Sequence, residues 1–474
     1  MTIAVIGADA ESVHTIEKAH ALGLRVVTVD VDPKAPGALL ADKAYVCDIS
    51  REKEVIDLLK DEHVDLVCPT PIGRHLLTVG AVNDALGLPG ISRDRINACI
   101  DKYAFHNRLR NVNLRSGHCY LIGKEQAANL IWRSMPELPD VPRQESVLAE
   151  DAEYPAILKP RYGSHGRSVH YLQDSAALKN LCARIWPDEE TVQPEDADKK
   201  DGSVSDAKKD DGGKKEARAR DHSRLAADFQ AELKKVMEQN RRKASGEDDP
   251  KEEYILEQAL PGTEYAVDGV VEGCNFEPVL IRRKTLTDPP ARQAVSYMTL
   301  LPGDNPRVED QIRTYMSRLC EVLGFTDCML HADICIMGRT VNCIEVSPSP
   351  AGRHVYDEFI PMVTGVDVAE QYLRYMAGES HNFHPLMNKR MVLGYFDMEN
   401  CFVHGIPTED EIKALLPAGV RLRKWICNIC LLDYLGSITD EASLLNRGCY
   451  IIEGENERNL TKAITLIREA FTLE

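Results

Sequence analysis

The stretch Cys328–Gly352, CMLHADICIMGRTVNCIEVSPSPAG, decides how this chain folds around its chemistry. Alternation puts His331 and Asp333 on one face of a first strand and Leu330, Ala332 and Ile334 on the other; in a second strand Val341, Cys343, Glu345 and Ser347 share a face. A short turn around Gly338-Arg339 closes a hairpin in which Asp333 falls roughly opposite Glu345, with Cβ atoms about 5 Å apart. Two facing carboxylates repel, so the pair needs a cation between them. Mg²⁺ suits such a pair, because it takes one or two carboxylates and leaves its other positions to water and phosphates. The alternative is a pair of charges pointing into water, and the apolar residues flanking both carboxylates weigh against it.

Toward the N-terminus, Glu153–Leu172 reads EYPAILKPRYGSHGRSVHYL. An apolar strand runs into Lys159-Pro160 and then into a loop holding Gly163, Ser164, His165 and Gly166 before a second strand begins. Glycines let backbone N–H groups approach a ligand and the lysine adds a point charge, a combination suited to a polyphosphate. Taken alone, the stretch reads first as a hairpin with a flexible turn. Beside a carboxylate pair it supplies the other half of a nucleoside triphosphate site.

A chain of 474 residues exceeds one hydrophobic core, so two to four domains are expected. With 43% hydrophobic and 28% charged residues, the composition is that of a globular protein. A net charge of −18 argues against a general nucleic-acid or anionic-membrane surface, so any phosphate site is local. Fourteen cysteines without a secretory signal point to a reducing, cytoplasmic setting, and no apolar run has the length of a membrane span. Cys427 and Cys430 form a lone CxxC with no second pair to complete a zinc site. The surrounding WICNICLLDYLG, Trp425–Gly436, reads as a buried strand, which makes them core cysteines.

Residues 1–95 alternate strand and helix: TIAVIGA, then ESVHTIEKAHALG with Val13, Ile16 and Ala19 on one face, then RVVTVDVD. This predicts a parallel sheet in a Rossmann-like domain. Its first turn, Gly7-Ala8-Asp9-Ala10, lacks the three glycines of a dinucleotide fingerprint, and Asp9 repels a pyrophosphate, so NAD is not expected. Residues 188–250 mix dense charges of both signs with Gly and Ser, and Phe229 is their only aromatic residue. Such a segment cannot bury enough apolar surface to offset its ordering entropy, so a largely disordered surface insertion is expected. Leu225, Phe229, Leu233, Val236 and Met237 have helical spacing and offer one docking element for a protein partner. EDQIRTYMSRLCEVLGF is an amphipathic helix stopped at Gly324, and residues 386–474 read as a small α+β module.

In this order, with YILEQALPGTEYAVDG (Tyr254–Gly269) between them, the two stretches resemble the ATP-grasp superfamily. VLIRRKTLTDPP (Val279–Pro290) and the small C-terminal module look most like its amino-acid and dipeptide ligase branch. The resemblance implies an α/β and α+β multidomain fold: a Rossmann-like domain over 1–95, an ATP-grasp domain over 96–385 carrying the insertion, and the C-terminal module over 386–474. It implies ATP and Mg²⁺ as cofactors, usually two ions, with Mn²⁺ an alternative. Lys102 in DKYAFHNRL and Lys159 would contact phosphates, with Gly163, Ser164, His165 and Gly166 closing over them as a lid. Glu257, Gln258, Ala259 and Leu260 would hold adenine through backbone groups, and Glu264 the ribose hydroxyls. Asp333, Glu345 and Ser347 would bind metal, while Arg353 and Lys284 would anchor the carboxylate or the transferring phosphoryl group.

Two departures stand out. The superfamily's metal strand usually runs Glu-x-Asn followed by Pro-Arg, whereas here it runs Glu345-Val-Ser347-Pro-Ser349. Serine offers one neutral oxygen, which weakens the site without abolishing it. The implied activity is an ATP-dependent carboxylate–amine ligase working through an acyl phosphate on small-molecule substrates, often as a homodimer. The alternatives are a carboxylase of the biotin-dependent type acting through carboxyphosphate, and a nucleotide-binding regulatory or scaffold protein with weakened turnover.

Overall fold

A computed structural model describes residues 1–124, 131–132, 147–148, 152–163, 166–186 and 253–474. The 188–250 insertion with its helical stripe, and the loop residues Ser164 and His165, lie outside the described residues. Near the N-terminus, β1 (Thr2–Ile6), β2 (Arg25–Asp30), β3 (Lys43–Val46) and β4 (Leu66–Val67) form a parallel sheet in the order β3-β2-β1-β4. Continuous apolar runs build β1 and β2 because both faces of the sheet are covered. Ala4 and Ile6 pack into one core with the Pro306–Leu323 helix, while Ile3 and Val5 pack into another with Phe359, Tyr372 and Leu393. This sheet is therefore seated on the rest of the molecule through two separate cores. At its first turn the Ala8 N–H donates to Asp30 Oδ2 at 2.6 Å, so the protein's own carboxylate takes a donor that an anion would use.

A second sheet is antiparallel. It contains β5 (Cys119–Ile122), β8 (Ala156–Pro160), β9 (His170–Leu172) and β10 (Tyr254–Gln258), in the order β5-β10-β8-β9, and β6 (Ile131–Trp132) pairs with β7 (Val147–Leu148) beside it. Its apolar side closes against the Ser175–Ile185 helix through Leu158, Leu178, Leu181 and Leu256. The strands β8 and β9 are the two arms read from Glu153–Leu172, and Leu158 pairs with His170.

The third sheet has eight strands. It unites β11 (Thr263–Glu272), β12 (Asn275–Leu286), β13 (Ala294–Leu300), β14 (Cys328–Met337), β15 (Thr340–Ser347), β16 (Met391–Tyr395), β18 (Arg421–Cys427) and β20 (Gly448–Glu453), in the order β15-β14-β11-β12-β13-β16-β20-β18. Between β10 and β11 the chain crosses from one sheet to the other at Pro261-Gly262. Only glycine fits there, because a Cβ on residue 262 would lie 2.5 Å from the Ile336 carbonyl oxygen. After residue 386, three strands extend this large sheet, while β17 (Cys401–Gly405), β19 (Tyr434–Leu435) and β21 (Thr472–Leu473) form a small sheet of their own. The Glu457–Glu469 helix buries Leu460, Ala463 and Ile467 in the adjoining core.

Trp425–Gly436 does not form the buried strand expected of it. The strand stops at Cys427, the chain reverses through a turn in which Leu432 adopts a φ of +68°, and Cys430, Leu431, Leu432 and Tyr434 are exposed. Apolar content was a poor guide there because those side chains lie on a surface turn. Among the described residues no helix is long and apolar enough to cross a membrane.

Candidate nucleotide and acceptor site

The hairpin of β14 and β15 carries the central carboxylates. Asp333 pairs with Glu345 in register, and His331 pairs with Ser347. Between those pairs and the turn lies a bulge: Ile334 pairs with Cys343, which leaves Ile344 unmatched. The bulge corrects the sequence-based expectation that Cys343 and Glu345 share a face. Cys343 is fully buried in the core with Ile334, whereas Glu345 is exposed on the wall of a cavity. One extra residue inverts the alternation.

Lys102, Lys159, Gly163, Gly166, Glu264 and Lys284 line that cavity together with the carboxylate pair. So do Glu257, Gln258, Ala259 and Leu260. Its volume is about 250 Å³. Ser347 and Arg353 lie elsewhere, in an adjoining cavity of about 470 Å³, and Glu345, Lys102 and Gly163 line both. Ser347 Oγ is 2.8 Å from Ser349 Oγ, so the two serines that depart from the usual motif bond to each other.

Lys102 begins the Lys102–Asn111 helix, whose N-cap Asp101 accepts from the N–H groups of Tyr103 and Ala104. Asp101 also takes both ends of the Arg161 guanidinium, at 2.9 and 2.6 Å. The lysine Nζ donates to the carbonyl of Gly163, tying the helix to the loop after β8. Burial pushes the Lys102 ammonium down to about 8, with Glu345 opposing the shift and Lys159 adding to it.

Lys159 does not stand alone. Its Nζ lies 2.6 Å from Glu257 Oε1, and Arg115 Nη2 donates to Glu257 Oε2 at 2.7 Å. His106 Nε2 sits 3.0 Å from the same oxygen without hydrogen-bonding geometry, and burial followed by the charge of Arg115 keeps that imidazole neutral. Burial works to raise the Glu257 carboxyl, but Lys159 and Arg115 outweigh it and hold it below the usual carboxylate range. Glu257 therefore presents backbone to the cavity and also carries a buried charge that its neighbours balance.

On β12 the period of two puts Arg282 and Lys284 on the cavity side and sends Arg283 to Glu457, 2.8 Å away on the opposite face. Lys284 Nζ is bound to Asp333 Oδ2. Burial lowers the Lys284 ammonium, yet Asp333, Tyr297 and Glu264 outweigh it and hold it above the ordinary lysine range. Arg282 is 1% exposed; it donates to Asp268 Oδ2 at 2.9 Å, and Asp268 Oδ1 meets His331 Nδ1 at 2.8 Å. Glu264 pairs with Arg292 at 2.8 Å.

Asp333 Oδ1 is buried without a hydrogen-bond partner, with His331 Nε2 3.7 Å away, and Asp333 is paired in register with Glu345. An orphaned carboxylate oxygen beside a second carboxylate fits one hard divalent cation. The other oxygen of Asp333 is already on Lys284, so a second ion at Asp333 competes with an ammonium. His354, Asp357 and Glu358 are the only group of three ligands within reach of one ion among the described residues, but Lys424 already neutralises Glu358.

Much of the larger cavity comes from loops and short helices beside the large sheet. Asp9 and Glu11 follow β1, Arg74 lies in a short helix after β4, and Pro348–Arg353 follow β15. Both Glu11 oxygens accept the Arg353 N–H at 3.0 Å, and the Arg353 side chain contacts Glu441. Glu11, Arg74 and Arg282 line this cavity, and Arg115 and His106 stand around Glu257. Of these only Arg282 had a sequence signal, its period-two relation to Lys284; the others come from separate elements.

The chain shares its fold with solved ligase and synthetase structures. It is similar in structure to an L-amino acid ligase from Bacillus licheniformis, with a TM-score of 0.64 and 14% identity over 100% of this chain and 98% of that one. It is also similar to phosphoribosylglycinamide synthetase from Anaerococcus prevotii, with a TM-score of 0.59 and 12% identity over 100% and 99% of the two chains. A third likeness is to an N5-carboxyaminoimidazole ribonucleotide synthetase solved as an ADP complex, with a TM-score of 0.60 and 14% identity over 98% and 96%. Compared with protein-family models and with curated proteins, the chain matches none.

Proposed function

We propose that this protein is an ATP-dependent ligase that joins a small-molecule carboxylate to an amine, releasing ADP and phosphate. The observation that carries the proposal is the shared wall: Lys102, Lys159, Asp333 and Glu345 line one cavity, and Glu345 is also the boundary of a second cavity that holds Arg74, Arg282 and Arg353. A phosphate-binding chamber that opens on a chamber rich in guanidinium and carboxylate groups suits phosphoryl transfer to an acid. In the proposed sequence a carboxylate oxygen attacks the γ-phosphorus and the bond to ADP breaks. The amine nitrogen then attacks the acyl carbon, loses a proton and expels phosphate.

This chain's share of the work is positioning and charge balance. Lys102 and Lys159 place two ammonium groups where phosphates would lie, and Glu257 to Leu260 offer strand and hinge backbone to a base. Glu264 faces the cavity as an acceptor for sugar hydroxyls. Asp333 and Glu345 would hold Mg²⁺, which when bound neutralises phosphate charge. Arg353 and Arg282 bring positive charge to the acceptor side, and Lys284 sets the orientation of Asp333. All fourteen cysteines are free thiols, which suits a reducing compartment such as the cytoplasm.

A nucleotide-binding regulatory role is the second proposal, favoured by the Ser347–Ser349 bond and by the lysine on Asp333. One experiment separates them: ADP release with Mg²⁺ and ATP across acids and amines, singly and in pairs, with product masses. Turnover that needs a pair and gives the sum of the two masses less water establishes the ligase. ADP that binds tightly, with no turnover on any pair, favours the regulatory role.

A further inference from the structure

The bulge that turns Glu345 toward the site sits on an edge strand, because β15 ends the eight-stranded order. Its outward backbone groups need partners off the sheet. Those partners come from the Pro306–Leu323 helix and from the segment 114–116. Cys343 N–H donates to the Tyr315 hydroxyl at 2.8 Å, and that hydroxyl donates to the Leu114 carbonyl at 2.6 Å. The Cys343 carbonyl accepts from Arg115 Nη1 at 2.6 Å. Ser116 completes the clamp, its N–H and Oγ both meeting Asn342 Oδ1, at 2.7 and 3.0 Å. Three consecutive residues, Leu114 to Ser116, thus hold the bulge at its backbone and at its neighbouring side chain.

The same Arg115 reaches in the other direction to Glu257 Oε2, while Lys159 occupies Oε1. The two cations divide one buried carboxylate. When Lys159 turns toward a phosphate, Glu257 loses one counter-ion, and a buried carboxylate with none is strongly disfavoured. Arg115 keeps the charge balanced, so the lysine is free to leave.

We propose that Arg115 is a positioning residue that serves both halves of the nucleotide site at once: one end of its guanidinium releases Lys159 for phosphate, and the other fixes the bulge that presents Glu345 to the metal. This deepens the nucleotide-binding part of the function proposed above and rests on it, but not on turnover. A planar fork with fixed donors can hold two acceptors on different strands; a lysine supplies charge but only a point.

The test is ADP affinity by calorimetry, with and without Mg²⁺, on the intact chain, with a thermal melt of each variant. Wild-type binding of ADP that Mg²⁺ strengthens is the precondition; its absence would count against the nucleotide site itself and take the Arg115 role down with it. Arg115→Met is expected to weaken ADP about tenfold without metal and to lower the added effect of Mg²⁺ by about 10–100-fold. Arg115→Lys should restore metal-free ADP affinity and leave the Mg²⁺ effect impaired. Tyr315→Phe, which removes only the hydroxyl on the bulge, should reduce the Mg²⁺ effect and spare metal-free affinity; it also serves if Arg115→Met does not fold. The proposal is overturned if Arg115→Lys impairs neither quantity, or if Tyr315→Phe leaves the Mg²⁺ effect at its wild-type value. A loss of ADP affinity in Arg115→Met with an intact Mg²⁺ effect would overturn it as well.

Discussion

The two adjoining cavities share Glu345 and Lys102 yet are made in different ways. In the smaller, the charges stand on regular strands: Lys159 on β8, Glu257 on β10, Glu264 on β11, Lys284 on β12, Asp333 on β14 and Glu345 on β15. Pleating fixes the direction of each side chain, and most of the charges are already paired with one another. In the larger, loops and short helices from opposite ends of the chain, carrying Glu11, Arg74 and Arg353, meet strand residues such as Arg282 and Ser347. Arg353 and His354 hold φ values of +64° and +62°, in the left-handed region that non-glycine residues rarely occupy. Such residues cost on the order of 1–3 kcal/mol each and persist only where the surroundings fix them. Here the Glu11 carboxylate, 342 residues away, accepts the Arg353 N–H. The proposed nucleotide chamber is thus set by sheet geometry, and the proposed acceptor chamber also by the seating of the N-terminal sheet.

The largest effects should come from the strand-borne charges. Lys159→Ala is expected to lower ADP formation by about 10²–10³-fold, the scale of losing a group aimed at transition-state charge. The fold should survive, because Arg115 still balances Glu257. An ADP-release assay beside a thermal melt checks both parts, and unaltered turnover in a folded variant would remove Lys159 from the site.

Lys284→Met tests whether the lysine stands in for a cation. Removing one partner of a buried pair costs roughly 3–5 kcal/mol, because the remaining charge is stranded. The variant should melt lower than wild type without metal. Since Asp333 would then offer both oxygens, Mg²⁺ should raise its melting temperature more than it raises that of the wild type. An equal Mg²⁺ response in the two proteins would separate Asp333 from metal binding.

The pH dependence of nucleotide binding is a smaller effect and belongs to Lys102. Burial sets its ammonium at about 8, against an ordinary 10.5, with Glu345, Lys159, Glu257 and Asp101 facing it. ADP affinity should fall as pH rises through about 8 and approach a tenfold loss per pH unit above it. Lys102→Arg should flatten that fall, because arginine keeps its charge. Stability runs the other way. Between about 8 and 10.5 the unfolded chain retains a proton that the folded chain has released, so the Lys102 contribution to stability rises with pH across that window. Calorimetric ADP titrations and melts at several pH values read the two signs separately.

How much of this was legible follows from the same contrast. That Asp333 lies roughly opposite Glu345 could be read from a turn at Gly338 and a period of two, because both are local, although strict alternation from that turn would set Asp333 against Ile344. The Ile344 bulge could not, because Arg115 and Tyr315 hold it from distant parts of the chain. Glu257 could be placed beside a base by its motif, whereas its role as a buried charge shared by Lys159 and Arg115 depends on three elements meeting. The fold shared with those ligase and synthetase structures was legible because its strands carry their own patterns. Arg74 and Glu11 carried no pattern, since loops position them only after the sheets have packed.

The smallest effect expected is at the seam between the two cavities. Ser347 stands where the related motif usually has asparagine, and its hydroxyl is engaged with Ser349 instead of lying in the nucleotide cavity. Ser347→Asn extends the side chain toward Glu345 and offers a carbonyl oxygen, a ligand type that Mg²⁺ accepts. Ser349 loses a hydrogen-bond partner, which costs only about 1 kcal/mol. A few-fold rise in the Mg²⁺ dependence of ADP affinity is therefore expected, equivalent to roughly 1 kcal/mol, with metal-free affinity unchanged. If the Mg²⁺ dependence instead falls, Ser347 belongs to the acceptor chamber alone, and the boundary between strand-built and loop-built chemistry lies at Glu345.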